Sequence, residues 1–266
     1  MEASKAVELL KEAMNITLQD ILLFTDNPTV GIQAEYLLTV NVAKEIAKLN
    51  RYYADPYIIY LEKKTTHFAR QCLPAIVWGK ARLTDGLSRI QALKERQKNT
   101  RLLNFKQVDT KHRTGKIDVA IYQHPKNGQL GEQPLCAIEL KSFNPSKNKI
   151  IADLERNLFF LNLKANTGDS ALPYTLFGAL HWNKKINRHD ECKHKRSLDQ
   201  KYDQILSYLK LNNPHIIFRK EIFTLSQSEG TVEIEDVDLD REAIIETLDT
   251  STKHYFIGVI ICFEKA

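Results

Sequence analysis

The sequence predicts an α/β fold on three observations. First, "KIDVAIYQ" (116–123), "LCAIELKSF" (135–143), "YTLFGALHW" (174–182) and "HYFIGVIICF" (254–263) are short apolar runs rich in β-branched and aromatic residues, as buried strands are. Second, they alternate with segments whose apolar residues recur every three or four positions, the helical period. Third, 266 residues at 43% hydrophobic and 27% charged lie in the ordinary globular range and suffice for one large domain.

In chain order, residues 5–24 read as a helix ended by "TDNPTVG", and 31–49 as a second helix. "PYIIYLEK" (56–63) is strand-like. Residues 66–78 and 84–98 have helical periodicity, and "LLNFKQVD" (102–109) looks extended. "RTG" (113–115) turns into the strand 116–123. The Gly/Pro/Asn stretch "HPKNGQLGEQP" (124–134) then makes a hairpin loop to the strand 135–143. A long helix follows over 147–164. Beyond the strand 174–182 come a helix (198–210), a strand (215–225), the alternating "TVEIEDVDL", a short acidic helix (241–248) and a closing core strand. No repeat, low-complexity tract or linker interrupts this order, so the chain 1–266 reads as a single domain with elaborations.

Several function classes are excluded or disfavoured. No P-loop, no GxGxxG opening a helix and no GxSxG elbow is present, so ATP hydrolysis and serine-hydrolase chemistry have no support. Cys72, Cys136, Cys192 and Cys262 lack CxxC spacing and read as reduced thiols of a cytoplasmic protein. "MEASKAVELLKEAM" is not a signal peptide, and "YFIGVIICF" is too short for a transmembrane helix, so no membrane partner is expected.

The formal net charge is +5 and is unevenly spread. Segment 80–116 has 11 Lys/Arg against 3 Asp/Glu, segment 182–220 has 10 against 4, and segment 221–250 has 1 against 10. The two basic segments suit a polyanionic partner or, equally, solvated faces.

The chemistry lies in the hairpin. Asp118 interrupts the apolar strand Ile117–Ile121, and Glu139 interrupts Cys136–Leu140, with Lys141 two residues on. A charge in an apolar strand costs several kcal/mol unless it is paired or metal-bound. Two carboxylates on adjacent strands repel, and a divalent cation between them is the natural compensation. Alternation puts Glu139 and Lys141 on one face of their strand, with the Leu140 carbonyl between them as a further oxygen donor. A carboxylate pair for Mg²⁺ or Mn²⁺ with an ammonium beside it suits phosphodiester hydrolysis.

"IDVAIYQHPKNGQLGEQPLCAIELK" resembles the bipartite signature of the PD-(D/E)xK nuclease superfamily, except that Ile117 stands where the literal motif has proline. The resemblance covers about residues 31–182. It implies a restriction-endonuclease-like α-β-β-β-α-β core, a mixed sheet flanked by helices, here with an N-terminal helix (5–24) and a C-terminal β/α elaboration over 183–266. It also implies Asp118 and Glu139 as metal ligands, Lys141 as catalytic lysine, and a glutamate on the first core helix that is catalytic and aimed at the same metals. In 31–49 that glutamate is Glu35, which falls in the stripe of Val42 and Ile46. The alternative is a first-turn glutamate facing the helix dipole. The helix after the E-x-K strand would place Arg156 and Asn157 near phosphate or in support of the site, although such a polar face also forms ordinary i,i+3 and i,i+4 pairs.

"KHRTGK" leads into the Asp118 strand and offers Lys111, Arg113 and Lys116 as phosphate contacts. "HWNKKINRHDECKHKR" (181–196) reads as a basic loop. A zinc site from His181, His189, Cys192 and His194 is disfavoured by its cramped spacing. The expected function is a Mg²⁺-dependent nuclease, DNA being favoured by the habit of the family, in prokaryotic defence or nucleic-acid processing. Recognition or ATPase functions would come from a separate partner or from homo-oligomerisation. The alternative is a catalytically silent nucleic-acid-binding or assembly protein on the same fold.

Overall fold

The structure is a computed structural model, and it describes residues 1–25, 34–53, 56–74, 115–124, 132–165, 168–183, 188–228, 231–238, 243–249 and 254–266. The helix expected over 84–98 and the extended segment 102–109 lie outside these residues.

Helices α1 (Ala3–Thr25) and α2 (Ala34–Tyr53) precede strand β1 (Tyr57–Lys64) and helix α3 (Thr65–Cys72). The periodicity carries α3 to residue 78, but Leu73 is already extended, as the residue before Pro74 prefers to be. Gly115, at φ +117°, opens β2 (Lys116–Gln123), a turn conformation that favours glycine. Next come β3 (Gln133–Lys141), α4 (Lys147–Leu161) and the short strands β4 (Lys164–Ala165) and β5 (Gly168–Asp169). Ser146 caps α4 by accepting a hydrogen bond from the Lys149 N–H. The chain continues through β6 (Tyr174–Asn183), α5 (Arg188–Leu211), β7 (Ile216–Ser228), β8 (Thr231–Asp238), β9 (Ala243–Asp249) and β10 (His254–Lys265).

Six strands form one mixed sheet in the order β1-β2-β3-β6-β10-β7. Every neighbouring pair is antiparallel except β3–β6, which α4 connects as a parallel crossover. Alternation along the strands divides the core into two layers. Val119, Ile121, Ile138 and Leu140 pack against Leu10 and Met14 of α1 and Leu38, Val42 and Ile46 of α2. Ala120, Tyr122, Ala137 and Phe177 pack on the other side, against Phe68 of α3, Leu154 and Leu158 of α4, and Tyr202 and Ile205 of α5. At Gly178 an added Cβ would come within 2.8 Å of Met14 Cε, so the missing side chain lets α1 lie close on β6.

Two expectations are corrected. The acidic segment expected as a helix over 241–248 is strand β9, paired antiparallel with β8 in a separate two-stranded sheet. Its helix-favouring Ala and Glu are outweighed by the adjacent β-branched Ile244 and Ile245 and a neighbouring strand to pair with. The basic stretch expected as a loop up to residue 196 is helical from Arg188 onward. No helix among the described residues is long and apolar enough to cross a membrane.

Candidate functional site

The β2–β3 register sets Val119 opposite Ile138 and Ala120 opposite Ala137. One step beyond Val119–Ile138, Asp118 and Glu139 stand abreast. Both lie on the face that carries Ala120 and Ala137, under α4. Asp118 Oδ2 accepts the Leu140 backbone N–H at 2.7 Å. Glu139, only 1% exposed, accepts from Arg156 Nη1 of α4 at 2.9 Å.

Lys141, at the end of β3, gathers three partners. Its Nζ donates to Glu35 Oε1 at 3.1 Å and to the Leu140 carbonyl at 2.8 Å, and lies 3.2 Å from Asp153 Oδ2. Asp153 also stands 3.3 Å from Arg156 Nη1, so one buried carboxylate serves both cations. Glu35 is in the first turn of α2, and its Oε2 accepts the Ser142 N–H at 3.5 Å. The helix-terminus position and the contact with Lys141 therefore coexist.

Burial sets the electrostatics. It raises Asp118 to about 6, against the opposing pull of the Leu140 N–H and Lys141. It raises Glu139 to about 8, although Arg156 favours the charged form. Asp153 is raised as well, by burial that outweighs Lys141 and Arg156. Burial opposes the charge of Lys141, but Asp153, Asp118 and Glu35 together hold its pKa above the ordinary lysine value. Four carboxylates (Glu35, Asp118, Glu139, Asp153) against two cations (Lys141, Arg156) leave the ionised cluster at −2.

That deficit and the hard oxygen donors fit a divalent cation in charge and in chemistry. As they stand, no three His, Cys, Asp or Glu side chains are gathered as a ligand cluster among the described residues. Glu139 uses Oε1 on Arg156, and the Leu140 carbonyl accepts from Lys141.

A cleft of about 400 Å³ opens beside the cluster, lined by Glu35, Tyr36, Thr39, Glu62, Asp118 and Ser142. Glu62 has φ +51°, a strained value for a non-glycine residue, and pairs with Lys116 at the surface.

Of the residues expected in the site, the fold brings together Glu35, Asp118, Glu139, Leu140, Lys141 and Arg156. Lys116 is at the cleft's edge through Glu62, whereas Lys111 and Arg113 lie outside the described residues. Asn157 is corrected. It is fully buried rather than placed at a phosphate, and its Nδ2 donates to the Leu176 carbonyl at 2.9 Å, so it ties α4 to β6, the supporting role of the two expected for it. His181 is likewise buried, with Nε2 2.9 Å from the Tyr202 hydroxyl, while Cys192 is exposed on α5. Asp153 was not among the expected site residues. Its signal was its position, in register with the buried stripe Ile150–Leu154–Asn157–Leu161 rather than on a solvated face.

Comparison with protein-family models finds no match, and comparisons with curated proteins and with solved structures find none either.

Proposed function

We propose that the chain is a metal-dependent nuclease that hydrolyses phosphodiester bonds, DNA being the favoured substrate. The observation that carries the reading is the excess negative charge of Glu35, Asp118, Glu139 and Asp153 over Lys141 and Arg156 beside an open cleft. It is supported by the mixed sheet, in which β1–β2–β3 are antiparallel and α4 leads to the parallel β6, although α3 stands between β1 and β2 and the short β4 and β5 precede β6.

In this reading Asp118, Glu139 and the Leu140 carbonyl hold the cation. When bound, a divalent cation supplies Lewis acidity and a water of lowered pKa. Lys141 keeps its proton, because three carboxylates favour the charged form. As an ammonium it donates hydrogen bonds to the attacking water or to the phosphoryl oxygen on which charge develops. Glu35 and Asp153 fix its direction from two helices. Arg156 anchors Glu139 from behind.

A second reading, an ion-paired scaffold without catalysis, draws on the pairs Lys141–Asp153 and Arg156–Glu139 alone. The test is cleavage of plasmid, linear duplex, single-stranded DNA and RNA with Mg²⁺ or Mn²⁺ against EDTA. Metal-dependent cleavage that Lys141→Ala abolishes is expected. No cleavage of any of the four, with no Mn²⁺ binding by calorimetry, overturns the nuclease and leaves the scaffold.

A further inference from the structure

Among the residues that line the cleft, Tyr36 is the aromatic one, and 60% of it is exposed. It follows Glu35 directly in the first turn of α2, and both residues line the cleft. Phe24, Tyr52 and Tyr208 are also exposed but do not line the cleft, while other aromatics pack on one another. Tyr122 and Phe68 pack edge to face, Phe143 contacts Phe256, and Trp182 stacks on Phe256. Tyr36 brings an aromatic ring to a cleft lining otherwise made of acids and small hydroxyls.

Acidic walls repel a phosphate backbone, so a polynucleotide gains little by lining up along this side of the cleft. A nucleobase is uncharged and carries a π face, and stacking on an aromatic ring is the contact those walls leave available. Glu139 and most of Asp118 are recessed from solvent. A phosphate that reaches them must enter with its neighbouring sugar and base, which a flexible strand allows and a paired, stacked duplex resists.

We infer that Tyr36 is a base-stacking residue at the mouth of the site, and that the substrate is a polynucleotide presenting an unpaired base there, that is, a single strand or a frayed end. The inference rests on the nuclease reading and narrows its substrate class.

Two probes separate the base from the backbone: oligothymidylate, and a single-stranded oligomer of the same length built of abasic deoxyribose phosphate. Binding is measured by fluorescence anisotropy in Ca²⁺, with wild type, Tyr36→Phe and Tyr36→Ala. Tyr36→Ala is expected to weaken oligothymidylate binding by roughly 5- to 100-fold and to leave the abasic oligomer within twofold. Tyr36→Phe keeps the ring and is expected to bind oligothymidylate like wild type. Circular dichroism and melting of each variant identify a folding defect, and Tyr36→Phe provides the comparison in which the ring is retained. A Tyr36→Ala variant that binds and cleaves oligothymidylate like wild type, or that loses both probes equally, overturns the stacking role and leaves the nuclease standing. A wild type that binds neither probe and cleaves nothing overturns both.

Discussion

Lys141 Nζ lies 3.2 Å from Asp153 Oδ2, a contact that ties the last residue of β3 to the middle of α4. The side chain of Asp153 is 6% exposed and that of Lys141 is 15% exposed, so little water screens the pair. The lysine is thereby held between two helices, with Glu35 on the far side.

Asp153→Asn is expected to keep the fold and to lower cleavage by about tenfold or more, because Lys141 loses one of the two carboxylates that direct it. The substitution also brings the cluster from −2 to −1, so Mn²⁺ affinity should fall. Calorimetry and steady-state kinetics on the same preparation check this. Unchanged kcat with unchanged Mn²⁺ binding would remove Asp153 from the site.

The Arg156–Glu139 pair holds the most deeply buried acid of the cluster, Glu139, at 1% side-chain exposure. Above about pH 8, where Glu139 is ionised, Arg156→Met leaves that carboxylate without its cation and is expected to cost roughly 3–5 kcal/mol in urea unfolding. Arg156→Met combined with Glu139→Gln should recover most of the loss, since the uncompensated charge is then gone. Additive losses in the double variant would show that the two side chains act independently.

The pH dependence of the metal-free protein has a definite sign. Asp118 keeps its proton up to about pH 6 and Glu139 up to about pH 8, both above their unfolded values. Between the unfolded and folded pKa values the native state binds more protons, so this contribution is fully present below the unfolded values of 3.8 and 4.5 and is lost as pH rises to about 6 for Asp118 and about 8 for Glu139. His181 acts in the opposite direction: burial holds it neutral down to about pH 3, so it opposes folding below its unfolded pKa. Comparing wild type with Glu139→Gln isolates the site. The wild-type urea midpoint should fall relative to the variant between pH 5 and pH 8, and Mn²⁺ should reduce the difference as it replaces protons. A midpoint that rises with pH relative to Glu139→Gln contradicts the buried-carboxylate account.

How much of this was legible in the sequence depended on whether the signal was local. β2, β3, β6 and β10 announce themselves, because each is an apolar run bounded by turn residues, and the acids inside β2 and β3 are anomalies that the strand itself exposes. β9 does not, because "AIIETLD" suits a helix until β8 lies beside it. The first turns of α5 are polar on every side and carry no period to read. Asp153 and Arg156 are three apart on α4, the spacing of an ordinary ion pair; the register of Asp153 with the buried stripe was legible, but only the tertiary fold shows that this helix face covers Lys141 and Glu139. Asn157 has the mirror fault, a polar residue whose partner, the Leu176 carbonyl, belongs to a strand 19 residues away.

The last prediction separates catalysis from scaffold through Lys141 and Glu35. Lys141→Ala takes a cation from a cluster already short of positive charge, so some stability is lost under either reading, up to roughly 3–5 kcal/mol for a broken buried pair. Stability alone therefore decides nothing. Glu35 resolves it, because its side chain is 43% exposed and its ion pair with Lys141 lies at the surface end of the cluster. Glu35→Gln should cost about 1 kcal/mol or less, since exposed pairs contribute little and the amide keeps the shape. If Lys141 works as an ammonium aimed by Glu35, cleavage falls in Glu35→Gln while the melting curve hardly moves, and Lys141→Ala loses cleavage by orders of magnitude. A scaffold gives the other pattern: both variants follow stability only, and no metal-dependent cleavage exists to lose. A fully active Glu35→Gln takes Glu35 out of the machinery, and a fully active Lys141→Ala overturns the nuclease mechanism drawn from this site.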